Sequence, residues 1–228
     1  MIWPRVAILA VALLLGSAVS AKAAGPQDAI IPIGEYSTPK GRSLAEAHKA
    51  ELLKLSEHVY HCLPWLAVVK NGIGFPHPND AKGDDRYLAL WVSIDQAEDP
   101  RFGAFTLPQR VSAMFSRYGV DLLRRMTKLT DVQSDTNVQG FTVILSWVKP
   151  GTATTTPINE TIALFADKPV VADFLAQRLP AVEFAEKATF NVFDGKTKIG
   201  RVQLDIVQDD FNSTFKLKGY EVAKGQSC

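Results

Sequence analysis

The segment RYLALWVSID, residues 86–95, constrains the fold most strongly, because its side chains alternate between two faces and both faces are largely apolar. One face carries aliphatic side chains: Leu88, Leu90, Val92 and Ile94. The other carries aromatic and small side chains: Tyr87, Ala89, Trp91 and Ser93. Alternation with a period of two is typical of a β-strand, and a strand that is apolar on both faces is expected in the centre of a sheet.

Further strands are predicted after and before this segment. Two strands follow it, at residues 140–148 and 159–166. Two edge strands are predicted nearer the ends of the chain, within residues 30–33 and at residues 214–222. Residues 187–207 predict a β-hairpin that turns at Asp194 and Gly195. The second strand of that hairpin points three aliphatic side chains inward: Val202, Leu204 and Ile206.

The first helix is predicted to begin at Ser43, because Ser43-Leu44-Ala45-Glu46 matches a capping box. Its apolar face follows at spacings of three and four residues: Leu52, Leu55, Val59, Cys62 and Leu66. Pro64 is expected to kink or break this helix, and Asn71-Gly72 is a plausible end.

Two more helices are predicted. The second begins at TLPQ, where Thr106 and Gln109 form a capping box. Its buried stripe is Val111, Met114, Phe115, Tyr118, Leu122 and Met126. The third begins at Asp167-Lys168-Pro169 and continues to about Leu179. Because the helices are interspersed among the strands without strict alternation, a doubly wound parallel sheet is disfavoured.

The predicted fold is therefore an α+β domain: a mainly antiparallel, twisted sheet of about five to six strands with three helices packed on it. We expect residues 1–23 to be a signal peptide, residues 24–42 an extended N-terminal segment rich in Pro and Gly, and residues 43–228 a single domain. The length suits one domain with a core of useful size.

The N-terminus has the pattern of a secretory signal. Arg5 forms a short basic region, an apolar run follows, and Ala21-Lys22-Ala23 matches the small-x-small cleavage pattern. The alternative is an uncleaved N-terminal anchor. No later segment is apolar for eighteen residues, so we expect no membrane span in the mature chain. The sequence thus predicts a periplasmic or secreted protein.

The charge of the chain argues against two classes of partner. The formal net charge is +1, and loss of Arg5 and Lys22 with the signal would make it slightly negative. Nucleic acids and anionic membrane surfaces require a basic field, so neither is expected to bind.

Two cysteines are present, Cys62 and Cys228. In an exported protein they could form a disulfide that ties the last residue to the first helix. The alternative is a buried Cys62 and a free thiol in the tail. The sequence does not decide between these two states, because it does not show whether the two sulfur atoms meet.

Three histidines offer a metal hypothesis. His58 and His61 lie three residues apart on the predicted first helix, and His77 lies in a loop that could fold back toward them. Together they could hold a divalent transition metal. The alternative is that both helical histidines lie on the polar flank of the helix, since the familiar helical zinc pairs are four residues apart.

No catalytic residue is assigned. The chain lacks a G-x-S-x-G nucleophile elbow and a Gly-rich phosphate loop. Ser37 and Lys40 match S-x-x-K, but Pro39 within a Gly- and Pro-rich segment argues against the helix which that motif needs. Cys62 lies on the apolar face of its helix, where burial keeps a thiol inert.

Four aromatic side chains on two strands are the candidate ligand-binding residues: Tyr87, Trp91, Phe141 and Trp147. If helices cover only one side of the sheet, the other side could present a concave aromatic surface. The alternative is that the first helix or the N-terminal segment covers it.

The sequence therefore favours an exported, non-enzymatic binding or accessory protein of the cell envelope. It would hold an apolar ligand or a partner protein on the sheet aromatics, together with the loop at 71–85. One alternative is a metal-binding protein or metal-dependent enzyme that uses His58, His61 and His77. Another is a structural envelope component that self-associates through an edge strand.

Overall fold

The structure is a computed structural model, and it describes residues 25–77, 83–94, 100–152 and 156–201, with residues 204 and 228. The predicted signal peptide, the side chains of Val202 and Ile206, and the predicted strand at 214–222 lie outside the described residues. Leu204, from the same predicted inward row, is buried.

In the described residues, six strands form one sheet whose spatial order is the order of the chain. They are β1 (Leu66–Gly74), β2 (Arg86–Ile94), β3 (Val138–Val148), β4 (Asn159–Asp167), β5 (Thr189–Asp194) and β6 (Thr197–Arg201). The pairing is antiparallel except between β2 and β3, which run parallel. A parallel pair needs a long crossover, and the helical stretch between these two strands provides one. The predicted α+β class and mainly antiparallel sheet are confirmed.

The described residues contain more helices than the three predicted. They are α1 (Pro39–Ala47), α2 (Lys49–Cys62), α3 (Pro100–Ala104), α4 (Leu107–Met114), α5 (Val120–Met126), α6 (Thr130–Ser134), α7 (Lys168–Leu175) and α8 (Ala181–Lys187). One π-helical turn, Phe115–Gly119, joins α4 to α5. No described helix is both long and apolar enough to cross a bilayer.

The first helix begins earlier than predicted. Thr38, not Ser43, caps α1: its hydroxyl accepts the backbone N–H of Gly41 at 3.2 Å, and Pro39 takes the first helical position. Proline is favoured there because that position has no helical use for an N–H. The segment predicted to be extended as far as residue 42 is therefore shorter.

The first helix also ends earlier than predicted. α2 stops at Cys62, just before Pro64, and the residues after Leu66 form β1 instead of continuing the helix to Asn71. Asn71 has a left-handed φ of 56°, and the register of β1 shifts between Val68 and Ile73. This bulge breaks the alternation by which the strand could have been read from the sequence.

The outer edge of β1 is paired with the N-terminal segment. Ile30 forms a parallel bridge with Ile73, and the N–H of Ile31 donates to the carbonyl of Ile73 at 2.8 Å. The edge pairing predicted for residues 30–33 is confirmed. This pairing leaves less of the β1 edge available to a further strand.

The second predicted helix start is confirmed, since the N–H of Thr106 donates to the Gln109 side chain at 2.9 Å. All six members of its predicted stripe are buried: Val111, Met114, Phe115, Tyr118, Leu122 and Met126. The π-helical turn carries Phe115 into contact with the rings of Phe184 and Phe190, which joins this helix to α8 and β5.

The helices pack on one face of the sheet, here called the helix face. From β2 and β3 its side chains are Leu88, Leu90, Val92, Ile94, Phe141, Val143, Leu145 and Trp147, and all belong to the helix-packed core. The opposite face is here called the open face. Its large side chains in the central strands are Tyr87, Trp91, Ile144, Phe165 and Phe193. None of these five belongs to the core or to the partly buried residues packed against it.

Candidate functional site

The four predicted ligand-binding aromatics lie on opposite faces of the sheet. Phe141 is paired with Leu88 and Trp147 with Ile94, which places both on the helix face, where they are fully buried. Tyr87 and Trp91 lie on the open face and are half-buried. The four residues therefore do not form one surface, and a ligand surface on this sheet is restricted to the Tyr87 and Trp91 side.

Trp147 takes part in a buried polar contact of the core. Its indole N–H donates to Glu160 Oε2 at 2.8 Å. The same oxygen accepts from Nε of Arg110 at 2.7 Å, and a second guanidinium nitrogen contacts the other oxygen of Glu160. These groups are occupied by one another, which identifies Trp147 as a structural residue.

On the open face, Trp91 of β2 is held by a hydrogen bond to the neighbouring strand β3. Its indole N–H donates to the hydroxyl of Ser146 at 3.0 Å, and that hydroxyl lies 2.9 Å from the hydroxyl of Thr161 on β4. A tryptophan whose polar atom is already paired presents its apolar ring in a fixed orientation. The open face thus carries one preorganised indole near its centre.

Tyr87 is held in a similar way nearer the end of the sheet. Its hydroxyl donates to Asp167 Oδ1 at 2.8 Å, and its ring meets the edge of Phe165 at a centroid distance of 6.2 Å. The ring can reach Asp167 because the strand between them carries Gly140. A Cβ at Gly140 would lie 2.8 Å from Cε1 of Tyr87.

The phenol of Tyr87 remains a hydrogen-bond donor. Burial raises its pKa, and so do the hydrogen bond to Asp167 and the negative charges of Asp167 and Asp85. Each of these disfavours the phenolate, so the group is protonated at any physiological pH. Tyr87 and Asp167 therefore form a stable corner with an exposed carboxylate.

Sequence reasoning missed three members of the open face: Ile144, Phe165 and Phe193. Their side is set by the strand register, in which Trp91 pairs with Ile144 and Thr189 with Phe165. Phe193 pairs with Thr161. The sequence shows that side chains alternate between two faces of each strand. It does not show which face of one strand lies on the same side of the sheet as which face of the next.

The three predicted metal ligands are not brought together. Nε2 of His58 contacts the guanidinium of Arg125. Burial and then the charge of Arg125 lower the pKa of His58, so the neutral ring accepts a hydrogen bond there. His61 is exposed on the same helix and meets the ring of Tyr60 edge-on at 5.0 Å.

His77 lies beyond the far end of β1, hydrogen-bonded through Nε2 to the carbonyl of Gly83. The nine residues of β1 separate it from His61, and a strand rises about 3.3 Å per residue. Within the described part of the chain, no group of three or more His, Cys, Asp or Glu side chains could hold a metal ion. The metal hypothesis has no support from this arrangement.

A titratable cluster that the sequence did not reveal surrounds His48, between α1 and α2. Nε2 of His48 lies 2.9 Å from Asp135 Oδ2, and Lys168 Nζ donates to the backbone carbonyl of Asp135 at 2.6 Å. His48 is 7% exposed and packs against the ring of Phe75 at 5.7 Å. His48 and Asp135 are 87 residues apart, so no local pattern could have paired them.

This cluster ties the junction of α1 and α2 to the turn before β3. Burial by itself would raise the pKa of Asp135, but hydrogen bonds from His48 and from Asn137 hold it below its usual range. Burial lowers the pKa of Lys168. Because the imidazole is almost fully enclosed, the arrangement acts as a structural cross-link, not as an accessible acid–base pair.

We expect Asp135→Asn to lower the free energy of unfolding by about 1 kcal/mol at pH 7, the usual net contribution of one hydrogen bond. A carboxylate whose pKa is depressed by folding stabilises above its unfolded pKa and loses that contribution as pH falls through the folded value. The difference from wild type should therefore shrink below about pH 4. Urea unfolding of both proteins at several pH values measures this difference in unfolding free energy.

Asp131→Asn is the matched control, because that side chain is exposed on α6. It should change stability by less than about 0.5 kcal/mol at every pH. A loss in Asp135→Asn that is as large at pH 3 as at pH 7 would contradict the charged role assigned to Asp135.

Comparison with models of protein families, with characterised proteins and with solved structures found no match to this chain.

Proposed function

We propose that the protein is an exported, non-enzymatic binding module that holds an apolar ligand on the open face of its sheet. The observation that carries this proposal is the placement of five large apolar or aromatic side chains outside the helix-packed core: Tyr87, Trp91, Ile144, Phe165 and Phe193. They are half-buried on neighbouring strands of one face: Trp91 is paired with Ile144, the rings of Tyr87 and Phe165 are in contact, and Phe193 is paired with Thr161. Apolar surface gathered on one face is characteristic of binding sites.

The rings on this face are oriented before any ligand arrives. Trp91 is fixed by Ser146, and Tyr87 is fixed by Asp167 across Gly140. Rigid aromatic side chains lose little conformational entropy on binding, so more of the burial energy contributes to affinity.

Export is part of the proposal and has two supports, a disulfide and a signal pattern. Cys62 and Cys228 form a disulfide, with a Cα–Cα distance of 5.5 Å. Structural disulfides persist in oxidising compartments such as the periplasm and the extracellular space. The signal pattern at residues 1–23 points to the same location.

Binding of the neutral fluorescent probe N-phenyl-1-naphthylamine tests the proposal. We expect the purified mature chain to bind it, with quenching of the emission of Trp91. Trp91→Phe should remove most of the quenching, because Trp147 is fully buried in the core and Trp65 packs against that core, away from the open face. Ile144→Asn should weaken binding at least tenfold, since it places an amide in the middle of the open face.

Val182→Asn is the matched control. Val182 is 60% exposed on α8, in the layer on the other side of the sheet. It should leave the affinity unchanged. No binding to the wild type, or equal binding to the Ile144 and Val182 variants, would overturn the proposal, provided that thermal unfolding shows both variants to be folded.

A further inference from the structure

We infer that the ligand of the open face is an amphiphilic cation, an apolar body that carries an ammonium group, with the ammonium seated at the corner formed by Tyr87, Phe165 and Asp167. This inference rests on the proposed function and specifies the chemistry of the ligand. Three features of the described residues support it: the charge of this corner, an unpartnered hydroxyl beside it, and the apolar surface that leads away from it.

The corner combines aromatic rings with negative charge. The rings of Tyr87 and Phe165 meet edge to face, and the carboxylate of Asp167 is exposed beside them. Asp85 lies close enough for its charge to act on the Tyr87 phenol. Aromatic faces and carboxylates both attract ammonium groups, through the ring quadrupole and through charge-assisted hydrogen bonds.

The basic residues next to this corner in sequence are engaged elsewhere. Arg86, beside Tyr87, is 2% exposed. It donates to Asp84 Oδ1 at 2.6 Å, to the carbonyl of Phe75 at 2.9 Å and to Thr38 Oγ1 at 2.7 Å. Lys168, beside Asp167, reaches the backbone carbonyl of Asp135. Neither cation is hydrogen-bonded to Asp167 or Asp85, so the corner keeps a negative potential on the open face.

An unpartnered hydroxyl lies next to the same corner. Thr142 is on the open face, paired with Ala89 on one side and Phe165 on the other. It is 1% exposed, and its Oγ1 has no hydrogen-bond partner among the described residues. A buried polar group without a partner is costly and requires an explanation. An ammonium N–H seated at this corner would supply the missing donor.

The rest of the face suits an apolar body. The Trp91–Ile144 pair lies two residues along the strands from the Ala89–Thr142 pair. Tyr87 and Trp91 are four residues apart, about 13 Å along a strand. The face therefore has one acidic end and one apolar stretch, which matches a molecule with a cationic head and a hydrocarbon chain.

Calorimetric titration of the mature chain with three twelve-carbon probes, each below its micelle concentration at pH 7, tests this inference. The probes are dodecylamine, dodecanol and dodecanoate. We expect dodecylamine to bind at least tenfold more tightly than dodecanol, and dodecanoate more weakly than either. Asp167→Asn should remove the preference for the amine over dodecanol, because the amide keeps an oxygen that can accept from Tyr87 but carries no charge. Raising the salt concentration should also reduce the preference, since the corner is partly exposed to solvent.

Asp173→Asn is the matched control, because Asp173 is an acid of α7 that pairs with Arg178. It should keep the preference for the amine. Equal affinity for dodecylamine and dodecanol, or a preference that persists in Asp167→Asn, would overturn the inference and leave the proposed function standing. Failure of all three probes to bind would count against the proposed function itself.

Discussion

Replacing Glu160 with alanine is expected to lower the free energy of unfolding by about 3–5 kcal/mol, the range for breaking a buried ion pair from one side. Glu160 is fully buried. Its two carboxylate oxygens accept from the guanidinium of Arg110 and from the indole of Trp147. Without the carboxylate, the charge of Arg110 remains in the core without its counter-ion, and the indole N–H of Trp147 loses its acceptor. Urea unfolding at pH 7 measures the loss.

The double variant Arg110→Met with Glu160→Leu separates the cost of a lone charge from the worth of the pair. Replacing both charged partners with apolar side chains of similar volume is often neutral or stabilising, so this variant should recover the part of the loss that comes from the lone charge. The indole N–H of Trp147 still lacks its acceptor in this variant. Glu186→Ala is the control for an exposed acid on α8, with an expected change below about 0.5 kcal/mol. A cost below 1 kcal/mol in Glu160→Ala would contradict the burial assigned to this pair.

Local patterns identified the elements whose signals lie within a few residues. The strand at 86–95, the hairpin turn at Asp194 and the helix start at Thr106 were all predicted, because alternation, turn residues and capping boxes are short-range features. β1 was missed because its bulge interrupts the alternation after Pro64. The parallel pairing of β2 and β3 depends on where the helices between them place the start of β3. That placement is set by long-range packing, so no local sequence pattern predicts it.

The site was less accessible to sequence reasoning than the fold. Tyr87 and Trp91 were predicted to bind a ligand, and the structure places both on the open face. Phe141 and Trp147 were grouped with them because each strand is apolar on both sides, yet the register turns them toward the helices. The local sequence gives no sign that Glu160 is buried, because a glutamate in a strand is ordinarily exposed. Its burial becomes visible only when Arg110, 50 residues earlier, is brought beside it.

Breaking the disulfide is expected to destabilise the protein by about 2–5 kcal/mol. Cys62 at the end of α2 and Cys228 are separated by 166 residues, so the bond closes most of the described chain into one loop. The chain-entropy model gives about 5 kcal/mol for a loop of this length, mainly by restricting the unfolded chain. For a chain of this size, each kcal/mol corresponds to roughly 2–4 °C in Tm, so the shift should be easily measured.

Cys62→Ala, Cys228→Ser and reduction of the wild type with dithiothreitol should give similar losses, since each breaks the same bond. The two substitutions together should cost little more than either alone, because the second removes nothing that the first has left intact. Thermal unfolding of the oxidised and reduced forms measures the effect.

If the reduced wild type unfolds at the same temperature as the oxidised protein, the bond does not stabilise the fold. If each variant loses several degrees, stability depends on an oxidised pair, and a chain retained in a reducing compartment would be the weaker form. That outcome would connect the tie between α2 and Cys228 to the proposed export of the protein.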